Sequence, residues 1–252
     1  MKGAAFNIKV SLLKKERLKM VKRWQLRIYF LMKRLLDMVL AGAALTFLSP
    51  VMFAIAVLIR LDSPGRAVFA QERVGVRVKA RNGQKFWEIK PFIVYKFRTM
   101  GRCARSDIHE KFVTALIKRD EQTITAMNGK ASQDTKFKLQ DDPRVTRIGK
   151  FLRKTSLDEL PQLWNVFVGD MSLVGPRPAL PYEVDLYSSK HLRRLEAQPG
   201  MTGIWQIAAR SQVDFEGMVE LDIQYVENQS LTKDLEILIK TPFAVLRGKG
   251  AA

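Results

Sequence analysis

Residues 38–59 form an apolar run of about 22 residues without a formal charge, and about 20 such residues are enough to carry a helix across a hydrocarbon core. No other feature limits the possible folds as strongly. Ser49-Pro50 lies near the middle of the run, where a proline removes a helical hydrogen bond and bends the helix. Basic residues flank both ends, Lys33 and Arg34 before it, Arg60 and Arg66 after it. A spanning helix would leave one of these flanks on the outer side, against the positive-inside tendency. A re-entrant helix, broken at Ser49-Pro50 and leaving by the face it entered, removes the conflict. Its freed backbone groups then need partners, and the Ser49 hydroxyl is the local one. A kinked spanning helix and a buried core helix compete with this reading. A cleaved signal peptide is disfavoured by the length of the run and its distance from Met1.

Charge adds a partner class. The net charge of +18 and pI near 10.1 call for something anionic: nucleic acid, anionic lipid or a phosphorylated substrate. The first 34 residues carry roughly +10 of it and stop where the apolar run begins, which places anionic membrane lipid ahead of nucleic acid. Cys103 is the single cysteine and His109 and His191 the only histidines. No intrachain disulfide and no soft-ligand zinc cluster follow from that set. Any metal is expected on oxygen ligands, in a reducing compartment.

The 47% hydrophobic content requires a packed core. Residues 62–100 hold short apolar stretches separated by Gly, Pro and Asn, the pattern of a small sheet. Residues 102–142 are polar, with a weak helical pattern at 108–117 and a loop-like stretch at Gly129, Lys130 and Ser132. In PRVTRIGKFLRK, Val145, Ile148 and Leu152 recur at helical spacing, with Arg144, Arg147, Lys150 and Arg153 on other faces. This is a basic amphipathic helix suited to a membrane surface. FEGMVELDIQYVENQ and LEILIKTPFAVLRG read as two further amphipathic helices.

The window TSLDELPQLWNVFVGDMSLVGPRP carries the chemistry. Thr155 or Ser156 offers a helix cap and Pro161 fits near a helix start, so Asp158 and Glu159 are expected at a helix N-terminus, where a carboxylate stays ionised. A nucleophile and a metal anchor both need that form. A capping box of Ser156 with Glu159 is the purely structural alternative. Adjacent carboxylates on one turn do not straddle a glycosidic bond. They suit one side of a phosphate, one attacking phosphorus and the other positioning a divalent cation. Candidate diphosphate-binding cations are Lys96, Arg98, Arg153, Arg177 and Arg210. Of these Arg177 stands out, because Pro176 and Pro178 fix its backbone and a guanidinium grips phosphate in a bidentate way. Trp205 and Gln206 suit base stacking and hydrogen bonding, against the alternative of a buried tryptophan.

The ordered set RLLD, SP, KFRTM, DDPRVTRIGKFLRKTSLDELPQLWNVFVGDMSLVGPRP, PGMTG and LDIQYVEN resembles the bacterial sugar transferases, the monotopic polyprenyl-phosphate phosphoglycosyl transferases. The resemblance covers about residues 30–250 and is closest to the minimal form that initiates exopolysaccharides. It implies an α+β fold: a compact catalytic domain on the cytoplasmic face of the bacterial inner membrane, with a small sheet and amphipathic helices, anchored by a re-entrant helix. The expected organisation is a basic extension at 1–34, the membrane helix at 35–60 and the catalytic domain at 61–252. By resemblance Asp158 is the nucleophile and Glu159 its partner near Mg²⁺. Arg153, Arg177 and Arg210 match basic active-site positions, and Lys96 matches the KFRTM lysine. Where the family has Gly-Arg-Asn, this chain has Ala209-Arg210-Ser211. The implied reaction takes a UDP-sugar and polyprenyl phosphate, favours glucose or galactose, and passes through a phosphosugar-aspartate. No nucleic acid partner is expected. The rival from another class is a non-enzymatic, membrane-tethered basic module binding nucleic acid or anionic lipid, which leaves the acidic pair and the Pro-Arg-Pro unexplained.

Overall fold

The computed structural model describes residues 24–81, 84–101, 107–128, 144–208 and 213–246; the basic extension up to residue 23 and the loop-like stretch at 129–132 lie outside them. The apolar run forms α1, Trp24–Asp62, a single helix of 39 residues with Pro50 inside it. The expected break therefore does not end the helix, and local chemistry explains why. Pro50 has no N–H for the carbonyl four residues back. That carbonyl, of Thr46, instead accepts from the Ser49 hydroxyl at 2.8 Å, and the Thr46 hydroxyl donates to the Gly42 carbonyl at 3.0 Å.

Both arms of α1 pack on the same body. Before Pro50 the buried positions are Tyr29, Lys33, Asp37 and Ala41, spaced by four; after it they are Ile55 and Ile59. The opposite side exposes Phe47, Phe53 and Leu61 at 81%, 73% and 79%, an apolar surface that marks a membrane or partner face. Among the described residues α1 is the one helix long and apolar enough to cross a membrane.

Two strands follow, β1 (Val68–Arg81) and β2 (Gln84–Phe97), paired antiparallel from Val68 with Phe97 to Arg81 with Gln84. This is the expected small sheet, drawn out into a long two-stranded ribbon. A ribbon has two unpaired edges, and here each is covered. Val74 on β1 donates its N–H to the Ala179 carbonyl at 2.8 Å. On β2 the Asn165 side chain takes the place of a third strand, accepting from Tyr95 N at 3.1 Å and donating to the Ile93 carbonyl at 2.6 Å. Pro91 lies on that same outer edge, two residues before Ile93, where its missing N–H costs no ladder bond.

Beyond the ribbon, α2 (Asp107–Lys118) forms where the weak helical pattern lies, and α3 (Glu121–Asn128) forms where none was expected. They share a small core of Phe112, Val113, Ala115, Leu116 and Ile124. The basic amphipathic helix is α4, Arg147–Thr155, with Leu152 buried and Phe151 exposed. A 3-10 turn (Leu157–Glu159), α5 (Gln162–Val168) and β3 (Ser172–Val174) come next. Then α6 (Pro181–Leu186), α7 (Ser189–Leu192) and a 3-10 turn (Arg193–Leu195) lead to β4 (Gly200–Thr202), which pairs with β3 in parallel. The chain closes with α8 (Ile204–Ala208), α9 (Phe215–Glu227) and α10 (Leu231–Leu246), the last two being the expected C-terminal helices. The main core joins Ala41 of α1, Phe92 and Val94 of β2, Leu163 and Val166 of α5, Leu173 of β3 and Ile237 of α10. Mixed helices and short sheets make this an α+β fold.

Polar ties fasten α1 at both ends. Near its start, Asp234 of α10 accepts from Tyr29 Oη (2.9 Å), Lys33 Nζ (2.8 Å) and Tyr225 Oη (2.7 Å). Arg34 donates to the Val166 and Phe167 carbonyls at the end of α5, and Leu173 N donates to Asp37. Lys33 and Arg34, one of the two basic flanks in the sequence, are thus internal fasteners. Asp234→Ala strands the buried Lys33 charge and should destabilise by about 3–5 kcal/mol. Lys33→Met with Asp234→Leu should recover most of that loss. Denaturant unfolding in detergent, followed by tryptophan fluorescence, checks both.

Candidate active site

The site is assembled by the register of the ribbon. Side chains two apart share a face of a strand, so the pairs Phe69 with Lys96, Gln71 with Val94 and Arg73 with Phe92 put Lys96 and Arg73 on the same face. At one end Lys96 meets the acidic pair; along the face Arg73 meets the Pro-Arg-Pro segment.

The acidic pair lies in the 3-10 turn between α4 and α5 rather than in the first turn of the helix. Ser156 closes α4 in the left-handed region, at φ 58°, a conformation that non-glycine residues adopt at some cost in strain. Its side chain makes no cap hydrogen bond to the turn, so the Ser156–Glu159 capping box does not form. Pro161 occupies the cap of α5. Asp158 and Glu159 are half-buried, and Lys96 Nζ donates to Glu159 Oε1 at 2.7 Å. Arg153, the last basic residue of α4 but one, donates from Nε to the Thr99 hydroxyl at 3.0 Å, which holds it at the start of the segment that follows β2. Gly149 allows this approach: a Cβ there would stand 2.1 Å from the Thr99 carbonyl oxygen.

The Pro-Arg-Pro segment sits across the ribbon. The Pro178 carbonyl accepts from Arg73 Nη1 at 3.0 Å, and Gln71 Oε1 accepts from Arg73 Nη2 at 2.7 Å. The Pro176 carbonyl accepts from Gly200 N at 2.8 Å. Arg177 pairs with Glu183 of α6 at 3.2 Å. Burial, and next the positive charge of Arg177, push the Arg73 guanidinium down to about 10, while the negative charges of Glu183 and Glu159 act in the opposite sense. Arg73, Arg177 and Glu159 therefore feel one electrostatic field. Arg73 and Glu183 escaped the sequence reading. The alternation in QERVGV, which puts Arg73 on the face of Gln71, was the available signal for Arg73; for Glu183 it was the helix start Pro181-Tyr182-Glu183, which marks a cap but not a pairing with Arg177.

Four expected residues are placed differently or not at all. Arg98 donates from Nη1 to the Pro64 carbonyl (2.6 Å) and from Nη2 to the Ser63 and Ile59 carbonyls (2.6 and 3.3 Å). It ties the last turn of α1 to the two residues that follow the helix, and packs on Gly65, whose φ of +125° only glycine adopts readily. In this structure its guanidinium fastens the helix end. Gln206 and Trp205 lie on α8, Trp205 packed against the core of Val74, Ile89 and Phe215. Gln206 Oε1 and Trp205 Nε1 are buried polar atoms without a protein partner, the one feature that keeps a ligand contact open for them. Arg210 lies outside the described residues. Among the described residues no cluster of three or more His, Cys, Asp or Glu could hold a metal.

A model of the bacterial sugar transferase family matches residues 28–248. The chain is 42% identical over 224 residues to a galactosyl transferase, CpsE, of Streptococcus agalactiae, covering 88% of this chain and 44% of that protein. It is 40% identical over 220 residues to an undecaprenyl-phosphate galactose phosphotransferase of Salmonella typhimurium, covering 87% and 41%. The exopolysaccharide production protein ExoY of Rhizobium meliloti is 39% identical over 219 residues, 87% of each chain. The chain thus spans less than half the length of the first two relatives and most of the third.

The two basic residues of KFRTM should separate experimentally. Arg98→Ala removes charge-assisted hydrogen bonds to the Ser63 and Pro64 carbonyls and should cost about 1–3 kcal/mol. Lys96→Ala breaks a pair whose partners are 30% and 37% exposed and should cost no more than about 1 kcal/mol. Thermal melts of both variants in the same detergent compare them.

Proposed function

This chain belongs to the bacterial sugar transferase family, and we propose that it transfers a sugar-1-phosphate from a UDP-sugar to polyprenyl (undecaprenyl) phosphate. UMP is released, and the polyprenyl-diphosphate sugar begins an exopolysaccharide or related glycan. A neutral hexose, glucose or galactose, is the sugar assigned to it; the names of the Streptococcus and Salmonella relatives support galactose.

The reaction takes two displacements at one phosphorus. An Asp158 carboxylate oxygen attacks the sugar-bearing phosphorus of the UDP-sugar, the bond from that phosphorus to the bridging oxygen breaks, and UMP leaves. An oxygen of polyprenyl phosphate then attacks the same phosphorus and displaces the aspartate. The observation that carries this reading is the Lys96–Glu159 ion pair on the turn that bears Asp158. It puts a cation and a second carboxylate beside the nucleophile, where charge develops during phosphoryl transfer. Arg177 and Arg153 would take the non-reacting phosphate oxygens.

Asp158 and Glu159 fit Mg²⁺ as hard oxygen donors on one turn, and one or two carboxylates with substrate phosphates are the usual protein share of such a site. When bound, the ion would neutralise diphosphate charge.

The membrane arrangement we assign is re-entrant, with the catalytic domain on the cytoplasmic face of the inner membrane. The ties at both ends of α1 support it: Lys33 and Arg34 before Pro50, and the Ile59 carbonyl beyond it, all bond to one domain. A straight spanning helix would carry one end across the bilayer, away from that domain. The exposed Phe151 of α4, with Arg147, Lys150 and Lys154 around it, suits the anionic leaflet beside the helix.

Asp158→Asn should abolish turnover, a loss of at least about 1,000-fold, with melting behaviour and membrane association unchanged. Wild-type enzyme incubated with UDP-galactose and Mg²⁺ without lipid acceptor should gain one hexose-phosphate on the peptide holding Asp158. Intact-mass and peptide mapping read this directly; an adduct on another residue, or near-normal turnover of the variant, would overturn the mechanism. For the topology, single cysteines at position 22 and in place of Lys190, in a Cys103→Ser background, should both react with an impermeant thiol reagent from the cytoplasmic side. Labelling from opposite sides would make α1 a spanning helix.

A further inference from the structure

Glu183 is a fully buried acid, 0% exposed, within a region otherwise rich in cations. Its Oε2 accepts the Leu180 N–H at 2.9 Å. Arg177 Nη1 sits between both carboxylate oxygens, 3.2 Å from Oε1 and 3.3 Å from Oε2. Burial alone would raise the Glu183 carboxyl, but Arg177 and Arg73, with the Leu180 N–H, hold it below its ordinary range. It is therefore an anion at neutral pH.

The backbone around Arg177 is pinned on both sides. Gly200 N holds the Pro176 carbonyl, Arg73 holds the Pro178 carbonyl and Val74 N holds the Ala179 carbonyl. Gly175 and Gly200 permit the close crossing, since a Cβ on Gly200 would lie 2.0 Å from Gly175 N. Two prolines restrict the segment further. Pinning the backbone does not by itself orient the long arginine side chain, which would lose rotamer freedom each time it met a ligand. Capping the Leu180 N–H at the start of α6 is one stabilising use for a carboxylate here, but stability gives no reason for pairing it with Arg177, because a buried ion pair is often matched by apolar residues of the same volume. Preorganisation does give one: a guanidinium already aimed loses less on binding phosphate.

We infer that Glu183 is a positioning residue, which fixes the Arg177 guanidinium for the phosphoryl groups of the nucleotide-sugar while Arg73 secures the Pro-Arg-Pro segment from the ribbon side. The inference rests on the reaction assigned above. Neither residue touches the reacting atoms; both act through Arg177.

The test is a double-mutant cycle on the full chain in detergent, with UDP-galactose, Mg²⁺ and undecaprenyl phosphate, reading kcat and KM from UMP release and folding from thermal melts. Arg177→Lys keeps a buried partner for Glu183 but loses the fork geometry, and should lower kcat/KM by about 100-fold. Glu183→Gln keeps the Leu180 hydrogen bond and the side-chain shape, and should lower kcat/KM by about tenfold with a melting temperature within a few degrees of wild type. Combined, the two should lose no more than Arg177→Lys alone, because residues acting as one unit are not additive. Losses that multiply independently, or wild-type kcat/KM in a folded Glu183→Gln, overturn the proposal and leave the transferase reading intact. Wild-type kcat/KM in Arg177→Lys strikes at the assignment of Arg177 in that reading instead. Should Glu183→Gln fail to fold, Arg73→Met takes its place in the same cycle with Arg177→Lys, and the same pair of outcomes decides.

Discussion

Helix α1 is fastened to the globular domain at both of its ends, and the rest of the molecule follows from that constraint. A helix of this length and hydropathy would cross a bilayer if one end were free. Here Asp234 holds Tyr29 and Lys33 at one end, and Arg98 holds the carbonyls of Ile59, Ser63 and Pro64 at the other. These are charge-assisted bonds, several of them buried, and breaking one leaves an ion or a carbonyl without a partner. One side of α1, with Phe47 and Phe53, stays exposed, while its other side becomes a wall of the protein core.

The same helix positions the chemistry. Against α1 lies α5, whose terminal carbonyls take Arg34, and from α5 the Asn165 side chain reaches the outer edge of β2. Backbone N–H groups of Gly169, Asp170 and Met171 converge on the Asn165 carbonyl, so one residue ends the helix and caps the ribbon. The turn with Asp158 and Glu159 immediately precedes α5. Its approach to Lys96 is therefore set by the membrane helix, through α5 and Asn165, as much as by the local sequence. On the other ribbon edge, Val74 and Arg73 do the same for the Pro-Arg-Pro segment. A carrier lipid arriving along α1 would meet a site whose two halves are held on opposite edges of one two-stranded ribbon.

Buried charge away from the site shows the same economy. Arg194 and Asp222 pair at 2.5 Å with side chains 0% and 2% exposed, and Arg194 also donates to the Tyr187 hydroxyl. Asp222 is nonetheless raised, by burial before anything else, with Arg194 opposing. This pair lies behind Glu183, whose carboxyl feels Arg194 as well as Arg177 and Arg73. Arg177 pairs with Glu183 and Arg194 with Asp222, and the positive charge of Arg194 adds to that of Arg177 and Arg73 at the Glu183 carboxylate.

By itself the sequence determined the elements and the chemical vocabulary. The apolar run, the amphipathic period of α4, α9 and α10, and the strand-like stretches of the ribbon all follow from side-chain periodicity, which acts over a few residues. Ser49 as the partner for the carbonyl freed by Pro50 is local in the same sense. Asp158, Glu159, Lys96 and Arg177 were singled out by the ordered motifs that resemble the family, not by periodicity. What only the tertiary structure decided are the pairings across long separations. Arg98 ties down the end of α1 because the helix, 39 residues back, ends beside it. Lys33 and Arg34 became internal ties instead of a flank. The capping box gave way to a left-handed Ser156, because the chain must reverse there to bring the acidic pair under the ribbon. Asn165 carries no local signature, and the partner of Arg73 on the Pro-Arg-Pro segment is no more local: a hydrogen bond between residues 70 or 105 apart is set by which surfaces pack together, and periodicity cannot specify that.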